Sequence, residues 1–200
     1  EEQTPVPAEN NSTGQVLVVP SNDTFSVISE ESSVTWTGKK PTGEHTGNLK
    51  ISTGEIIFEN GIIAGGNFEI DMSSITCTDI TDAEKNADLV GHLKEKDFFG
   101  SDKFPMAALV LTSSAKKEGN LYEVKGNLTI KDITNEISFP VTAEVKNGGI
   151  NAEANISFDR TKWGIKYKSK TFDAGLGEKF IFDELNVKVK VVAKAKETKA

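Results

Sequence analysis

Alternation of apolar and polar residues at every second position is the feature that most restricts what this chain can fold into. It is clearest near the C-terminus, where polar residues separate an apolar row: Leu185, Val187, Val189 and Val191. Successive side chains of a β-strand point to opposite faces, so the pattern predicts a strand with one buried face. Comparable rows begin at Tyr122, Ile137 and Ile150, and each predicts another strand.

Weaker strand patterns complete the predicted sheet. They occur at Val34 to Gly38, Thr46 to Ile51, Glu55 to Glu59, Gly66 to Met72 and Pro105 to Ser113. Asn60-Gly61 and Asn147-Gly148 have the composition of tight hairpin turns, which favours antiparallel pairing of sequential strands. Pro140 falls on the outward row of its strand and therefore predicts a bulge or an unpaired edge position.

One segment has helical rather than strand periodicity. Thr81 and Glu84 have the spacing of a capping box, and apolar residues then recur every three or four positions. We therefore expect an amphipathic helix from Asp82 to about Glu95. The absence of alternating strands and helices argues against a parallel sheet. The predicted fold is all-β: an antiparallel lipocalin-like β-barrel of about eight strands with one inserted α-helix.

Whether such a barrel is hollow decides its function. Several inward positions carry small residues, which favours space for one small ligand: Gly65, Gly66, Gly126, Ala143, Ala152 and Ala154. The alternative is that large residues fill the interior between the small ones: Phe58, Phe68, Phe139 and Phe158. The residues themselves leave both alternatives open.

The two ends of the chain differ in composition from the predicted barrel. Residues 1–22 are rich in proline, acid and polar side chains, which predicts a flexible acidic leader or tether. The barrel domain is expected at 23–193 and a frayed C-terminal tail at 194–200. The net charge of -7 argues against nucleic acid as a partner. No apolar run approaches the roughly 18 residues that a membrane-spanning helix requires.

Catalytic and metal-binding signatures are absent from the sequence. His45 and His92 are the only histidines, and their spacing to Cys77 and to the acidic residues matches no metal motif. We expect His45 at the barrel rim and His92 beside the helix face. The acidic residues that follow Cys77 are expected to keep it protonated and unreactive. The sequence therefore predicts no catalytic residue, no metal and no cofactor.

Two local features allow either a structural or a binding role. Arg160, the single arginine, either ties down a turn through backbone carbonyls or clamps a phosphate or quinone oxygen. Phe98, Phe99 and Phe104 lie in a turn-rich connection where three exposed rings would be costly. They either plug the barrel end together with Val90 and Leu93 or form the mouth of a ligand tunnel.

Several segments in succession resemble the YceI-like family. They are Val34 to Gly38, His45-Thr46-Gly47, Gly54-Glu55-Ile56, His92 to Pro105, Tyr122 to Ile130 and Asp159 to Ile165. The resemblance covers roughly Asp23 to Ala193, and the order and spacing of the segments carry it. It implies an exported bacterial barrel whose interior holds a polyisoprenoid or similar long-chain amphiphile through apolar lining residues. The acidic leader resembles the tether of a bacterial lipoprotein, which implies a periplasmic or outer-membrane-anchored protein.

These observations lead to one principal hypothesis and two alternatives. The principal one is non-enzymatic binding, storage or transport of an isoprenoid or fatty lipid, with these candidate ligand-binding residues: Trp36, His45, Phe58, Phe68, Val90, His92, Leu93, Phe98, Phe99, Phe104, Phe139, Phe158, Arg160 and Trp163. The first alternative is a surface-acting interaction module with a filled barrel. The second is an enzyme that acts on a lipid held in the barrel, with His92 as the leading catalytic candidate. The sequence leaves open whether the protein is a homodimer.

Overall fold

The computed structural model describes residues 23–196 and consists mainly of antiparallel strands. The predicted leader at 1–22 and the last four residues of the predicted tail lie outside the described residues. The strands are β1 (Asp23–Val27), β2 (Ser33–Lys40), β3 (Gly43–Glu59), β4 (Ile62–Asp71), β5 (Met106–Lys116), β6 (Leu121–Ile130), β7 (Ile133–Lys146), β8 (Gly149–Asp159) and β9 (Glu184–Ala195). One α-helix, α1 (Ala83–Lys94), follows β4.

The strands close into a barrel of eight positions. Each of β2 to β8 pairs antiparallel with the next strand, and β9 pairs back onto β2. The short β1 pairs with the ends of β3 and β9 that β2 does not reach, so β1 and β2 share one position in the barrel. The prediction of a lipocalin-like antiparallel barrel with one inserted helix is confirmed.

The observed strands extend and join the predicted ones. The two segments expected on either side of Ser52 form one long strand, β3, with a register shift between Ile51 and Thr53. The polar residues that indicated a break therefore form a β-bulge, which bends the strand without ending it. β1 is absent from the predicted strands, because Phe25 is its only deeply buried residue and no alternation surrounds it.

The predicted turns and the predicted proline position have clear structural counterparts. Asn60-Gly61 and Asn147-Gly148 all have positive φ, as expected for the tight hairpins that connect β3 to β4 and β7 to β8. Pro140 pairs with Glu123 of β6, but the ladder between β7 and β8 ends one residue away, at Val141. Pro140 therefore faces β8 at an unpaired position, where its missing N–H costs no ladder bond.

The helix begins one residue later than the capping box indicated. Asp82 is the N-cap, and its carboxylate accepts a hydrogen bond from the Lys85 amide. The expected cap at Thr81 was therefore wrong, although the predicted span of Asp82 to about Glu95 is confirmed by the helix and its two caps. Among the described residues, no helix has the length and apolarity needed to cross a membrane.

The two ends of the barrel are built differently. Short turns connect the strands at the end where β1 lies, and a dense apolar cluster that includes Phe25, Tyr122 and Ile150 fills it. At the other end, two long connections follow β4 and β8, and the first of them carries α1. We call these the closed end and the mouth end.

At the mouth end the barrel wall has a gap, because β7 and β8 are not paired there. β7 residues 133–140 have no partners on β8. The 3-10 helix Arg160–Trp163 lies beside this gap: Trp163 is 1% exposed, and its indole N–H donates to the Leu128 carbonyl at 3.0 Å. Asn135 donates to the Lys162 carbonyl from the other side. This helix therefore replaces the missing wall.

Candidate ligand-binding cavity

A cavity of about 540 Å³ occupies the mouth half of the barrel. Its inner part is apolar, with lining residues on the eight strands β2 to β9 and on α1: Val34, Trp36, Leu49, Ile51, Phe68, Ile70, Leu93, Leu109, Leu111, Leu128, Ile137, Phe139, Ala154, Ile156, Val187 and Val189. Cavities that hold one small molecule typically measure about 300–1,000 Å³. The predicted hollow is therefore present in the mouth half, whereas the closed half is filled.

The small residues that indicated the hollow do not create most of it. Only Ala154 lines the cavity, whereas Ala143 and Ala152 pack in the core of the closed half. A Cβ at Gly66 would lie 2.7 Å from the Glu55 carbonyl oxygen, and one at Gly126 would lie 2.9 Å from that of Val110. These glycines permit close approach of backbones, so the reasoning from small residues was largely wrong, although its conclusion was right.

The mouth is polar and carries more positive than negative side chains. It lies between the β2–β3 hairpin and the connection that leads into β9. The exposed charged residues in its lining are four lysines, Lys39, Lys40, Lys168 and Lys179, and two glutamates, Glu178 and Glu184. This local excess of lysine contrasts with the net charge of -7 of the chain.

Most of the candidate ligand-binding residues lie in the cavity wall. These are Trp36, His45, Phe68, His92, Leu93, Phe98, Phe99, Phe139, Phe158 and Arg160. Four candidates lie outside the lining. Phe58 packs at the closed end against Tyr122, Val90 is half-buried on α1, Phe104 is half-buried in the connection before β5, and Trp163 fills the gap in the wall. Contact of any of these residues with a ligand stays a prediction.

Arg160 binds backbone carbonyls, which is the first of the two roles that the sequence allowed. Its Nη1 donates to the Ile165 carbonyl at 2.8 Å, and Nη2 and Nε donate to Ile181 and Phe182 at 3.0 and 3.1 Å. The side chain is 4% exposed and lies 3.5 Å from the Asp183 carboxylate. Burial lowers the pKa of this guanidinium, and the adjacent Asp183 opposes that shift. Arg160 therefore fixes the long connection that forms one side of the mouth.

The helix and the connection after it contribute a cluster of rings at the mouth end. The His92 ring lies edge-on to Phe98 at 4.9 Å and to Tyr167 at 4.6 Å, measured between centroids. Phe98 and Phe99 both line the cavity. The sequence allowed these rings either to plug the barrel end or to form the mouth of a ligand tunnel. In the structure Leu93, Phe98 and Phe99 cover part of the barrel end and also line the cavity beneath it.

His45 belongs to a second polar group at the rim. Its Nδ1 lies 2.8 Å from Asp79 Oδ2, and the Cys77 thiol lies 3.2 Å from Asp79 Oδ1. The pKa of Asp79 falls to about 2: desolvation, the largest single effect, raises it, but hydrogen bonds from the Thr46 amide, His45 and Cys77 together outweigh this. Desolvation raises the pKa of the Cys77 thiol, in agreement with the expected protonated state. Asp79 is therefore a fixed negative charge at the rim.

The sequence reasoning missed Asp79 and the connection before β9. The sequence identifies Asp79 only as one of the acidic residues that follow Cys77, and no motif relates it to His45, which lies 34 residues earlier. Ile181 and Phe182 also line the cavity, although they lie outside any alternating row. By contrast, Val187 and Val189 belong to the clearest predicted row, so the periodicity identified their inward face.

A closed antiparallel barrel with an apolar cavity open at one end defines the lipocalin-like class of ligand-binding barrels. Within that class, the chain belongs to the family of the YceI-like domain, whose family model matches residues 25–193. A UPF0312 protein of Photorhabdus laumondii is 31% identical over 137 residues, which cover 66% of each chain. Protein YceI of Shigella flexneri is 30% identical over 100 residues, 50% of this chain and 47% of the relative. The match thus spans about two thirds of the first relative and about half of the second.

Solved structures share the fold. BcnA of Burkholderia cenocepacia superposes with a TM-score of 0.69 and 24% identity, covering 84% of this chain and 99% of that one. A polyisoprenoid-binding domain from Saccharophagus degradans, implicated in plant cell wall breakdown, gives a TM-score of 0.63 and 13% identity, with coverage of 86% and 98%. At these identities the likeness concerns the fold alone.

Proposed function

We propose that the barrel binds one long-chain isoprenoid amphiphile, with its tail in the cavity and its head group at the mouth. The observation that carries this proposal is the cavity of about 540 Å³, which is apolar inside and open at a lysine-bearing end. The family supports a lipid-binding role, and one solved relative is a polyisoprenoid-binding domain. The protein acts as a carrier or store and not as an enzyme.

The tail supplies most of the affinity. Burial of apolar groups contributes about 0.8 kcal/mol per CH₂, so each five-carbon prenyl unit is worth a few kcal/mol before the cost of ordering it. The lysines at the mouth are exposed, and an exposed ion pair contributes about 1 kcal/mol or less. We therefore expect chain length and branching to determine affinity, with the head group tuning it.

The experiment uses two substitutions on β8 that add the same side chain to opposite faces. Ala154→Phe places a phenyl ring in the cavity, whereas Asn155→Phe places it on the exposed face one residue later. We expect saturable uptake of a long-chain prenol by the wild type and by N155F, and at least about tenfold weaker binding by A154F, a loss of about 1.4 kcal/mol. Urea denaturation checks that both variants remain folded.

Two results would contradict the proposal. One is a wild-type protein that carries no lipid in mass spectra of its solvent extract and shows no saturable prenol uptake. The other is equal binding by A154F and N155F, which would place the ligand outside the cavity. A straight-chain alcohol of equal carbon number tests the preference for the branched isoprenoid over a fatty chain.

The place of the protein in the cell is a separate part of the proposal. We propose that the protein is exported and attached to a bacterial membrane through the acidic leader at 1–22, whose composition is that of a tether. Fractionation of cells that express the complete gene should place it in the periplasmic or outer-membrane fraction. Recovery in the cytoplasmic fraction would contradict this.

A further inference from the structure

A group of three potential metal ligands lies at the rim of the barrel, beside the mouth. It consists of His45 on β3 and of Cys77 and Asp79 in the segment between β4 and α1. One donor atom from each residue lies within 4.8 Å of the other two. The three ligand types, imidazole nitrogen, thiolate sulfur and carboxylate oxygen, are all ligands that Zn²⁺ takes in proteins.

The ligand-bearing segment is fixed to β3 by its backbone. The amides of Thr76 and Thr78 each donate at 2.9 Å to carbonyls of β3, those of Asn48 and Thr46. In return, the Thr46 amide donates at 2.8 Å to Asp79 Oδ1. The segment therefore runs beside β3 like an additional strand, and its bonds place Cys77 and Asp79 next to His45. Such preorganisation reduces the cost of bringing ligands together.

The distances are close to those that a tetrahedral ion requires. Bonds of about 2.0–2.3 Å to zinc place neighbouring donor atoms roughly 3.3–3.8 Å apart. The observed separations of 2.8 Å from His45 Nδ1 to Asp79 Oδ2 and 3.2 Å from Cys77 Sγ to Asp79 Oδ1 are those of hydrogen bonds. A shift of less than about 1 Å converts this hydrogen-bonded group into a coordination shell.

The group is open to solvent on one side. The His45 and Asp79 side chains are 30% and 32% exposed, whereas Cys77 is buried behind them. His45 also lines the cavity mouth. Three protein ligands leave the fourth position of a tetrahedral ion free for water or for an oxygen of a bound molecule.

We propose that His45, Cys77 and Asp79 form a binding site for a zinc ion. On binding, the Cys77 thiol releases its proton to solvent, and the thiolate and the Asp79 carboxylate bind the metal. His45 binds through Nδ1 and keeps its hydrogen on Nε2. This site does not depend on the proposed lipid, because all three ligands belong to the chain.

Cobalt(II) is the probe, because it replaces zinc in such sites and absorbs light when a thiolate ligates it. Titration of the metal-free chain should produce a thiolate-to-cobalt charge-transfer band that saturates at one ion per chain, and zinc should abolish it. Cys77→Ser should remove the band. Asp79→Asn should weaken cobalt binding at least about 100-fold, since even second-shell changes cost about 10- to 100-fold.

Asp88→Asn is the matched control, since Asp88 is an exposed acid on α1 outside the group. It should bind cobalt as the wild type does. Circular dichroism verifies that each variant is folded. A folded wild type that gives no charge-transfer band at stoichiometric cobalt, or a band that survives in D79N with unchanged affinity, would overturn the proposal and leave the three residues as a purely structural contact.

Discussion

Gly47 on β3 is the position where one methyl group should do the most damage to the mouth. A Cβ built there would lie 1.7 Å from the Thr76 carbonyl oxygen and 2.8 Å from Nε1 of Trp36. Backbone atoms cannot accept a carbon at that distance, so Gly47→Ala must push the segment around Thr76 away from β3.

The expected cost follows from the hydrogen bonds that this displacement breaks. The Thr76 and Thr78 amides each lose a backbone bond of 2.9 Å, and the Trp36 indole loses its bond of 3.0 Å to the Thr76 carbonyl. Each is worth about 0.5–1.5 kcal/mol net. We expect G47A to lower the free energy of unfolding by about 3 kcal/mol, which for a chain of this size lowers the melting temperature by roughly 6–12 °C.

Gly91→Ala is the matched control. Gly91 lies inside α1 with nothing within 4 Å of an added Cβ, so alanine should stabilise the protein by about 0.8–1 kcal/mol through helix propensity. Urea denaturation of both variants measures the two changes. A loss below about 1 kcal/mol for G47A would refute the reasoning, because it would mean that the segment moves aside without losing its bonds.

Three further predictions concern other parts of the mouth end. Arg160→Lys should destabilise the protein by about 2–4 kcal/mol in urea denaturation, since one ammonium group cannot reach the carbonyls that the guanidinium binds. Trp163→Phe should cost about 1–3 kcal/mol in the same assay by leaving the Leu128 carbonyl without its donor; an unchanged value would show that the bond is unimportant. The Ser73 hydroxyl, the largest contributor, lowers the pKa of Asp71, so this carboxylate stabilises the fold above its unfolded pKa of about 3.9 and loses that effect as the pH falls through its folded pKa. Ser73→Ala should therefore reduce the fall in urea midpoint between about pH 7 and about pH 3, and an equal fall in both proteins would contradict this.

Local patterns predicted the fold more completely than the site. The rows that begin at Tyr122, Ile137 and Ile150 are strands because alternation is a property of neighbouring residues. β1 was missed because five residues with one buried phenylalanine show no such pattern, and only its pairing with β3 and β9 makes it a strand.

The site depends on which inward residues meet across the barrel, and that is not a local property. Ala152 and Ala154 belong to the same inward row, yet Ala152 packs in the closed half and Ala154 lines the cavity. The group of His45, Cys77 and Asp79 likewise forms only because the segment after β4 pairs with the first half of β3. Alternation alone does not determine whether a barrel is hollow. The small inward residues favoured a hollow interior, and the resemblance to the family implied one.

The position in the barrel that β1 and β2 share determines where the two ends of the described chain lie. Asp23 at the start of β1 lies opposite Phe58, and Ala195 at the end of β9 lies opposite Phe25, so both are at the filled end. Gly38 and Leu185, which face each other across β2 and β9, line the opening far from them. A fluorophore, an affinity handle or an immobilising surface attached directly at Asp23 or at Ala195 would therefore lie at the closed end and leave the entrance free for exchange with a solution or a bilayer.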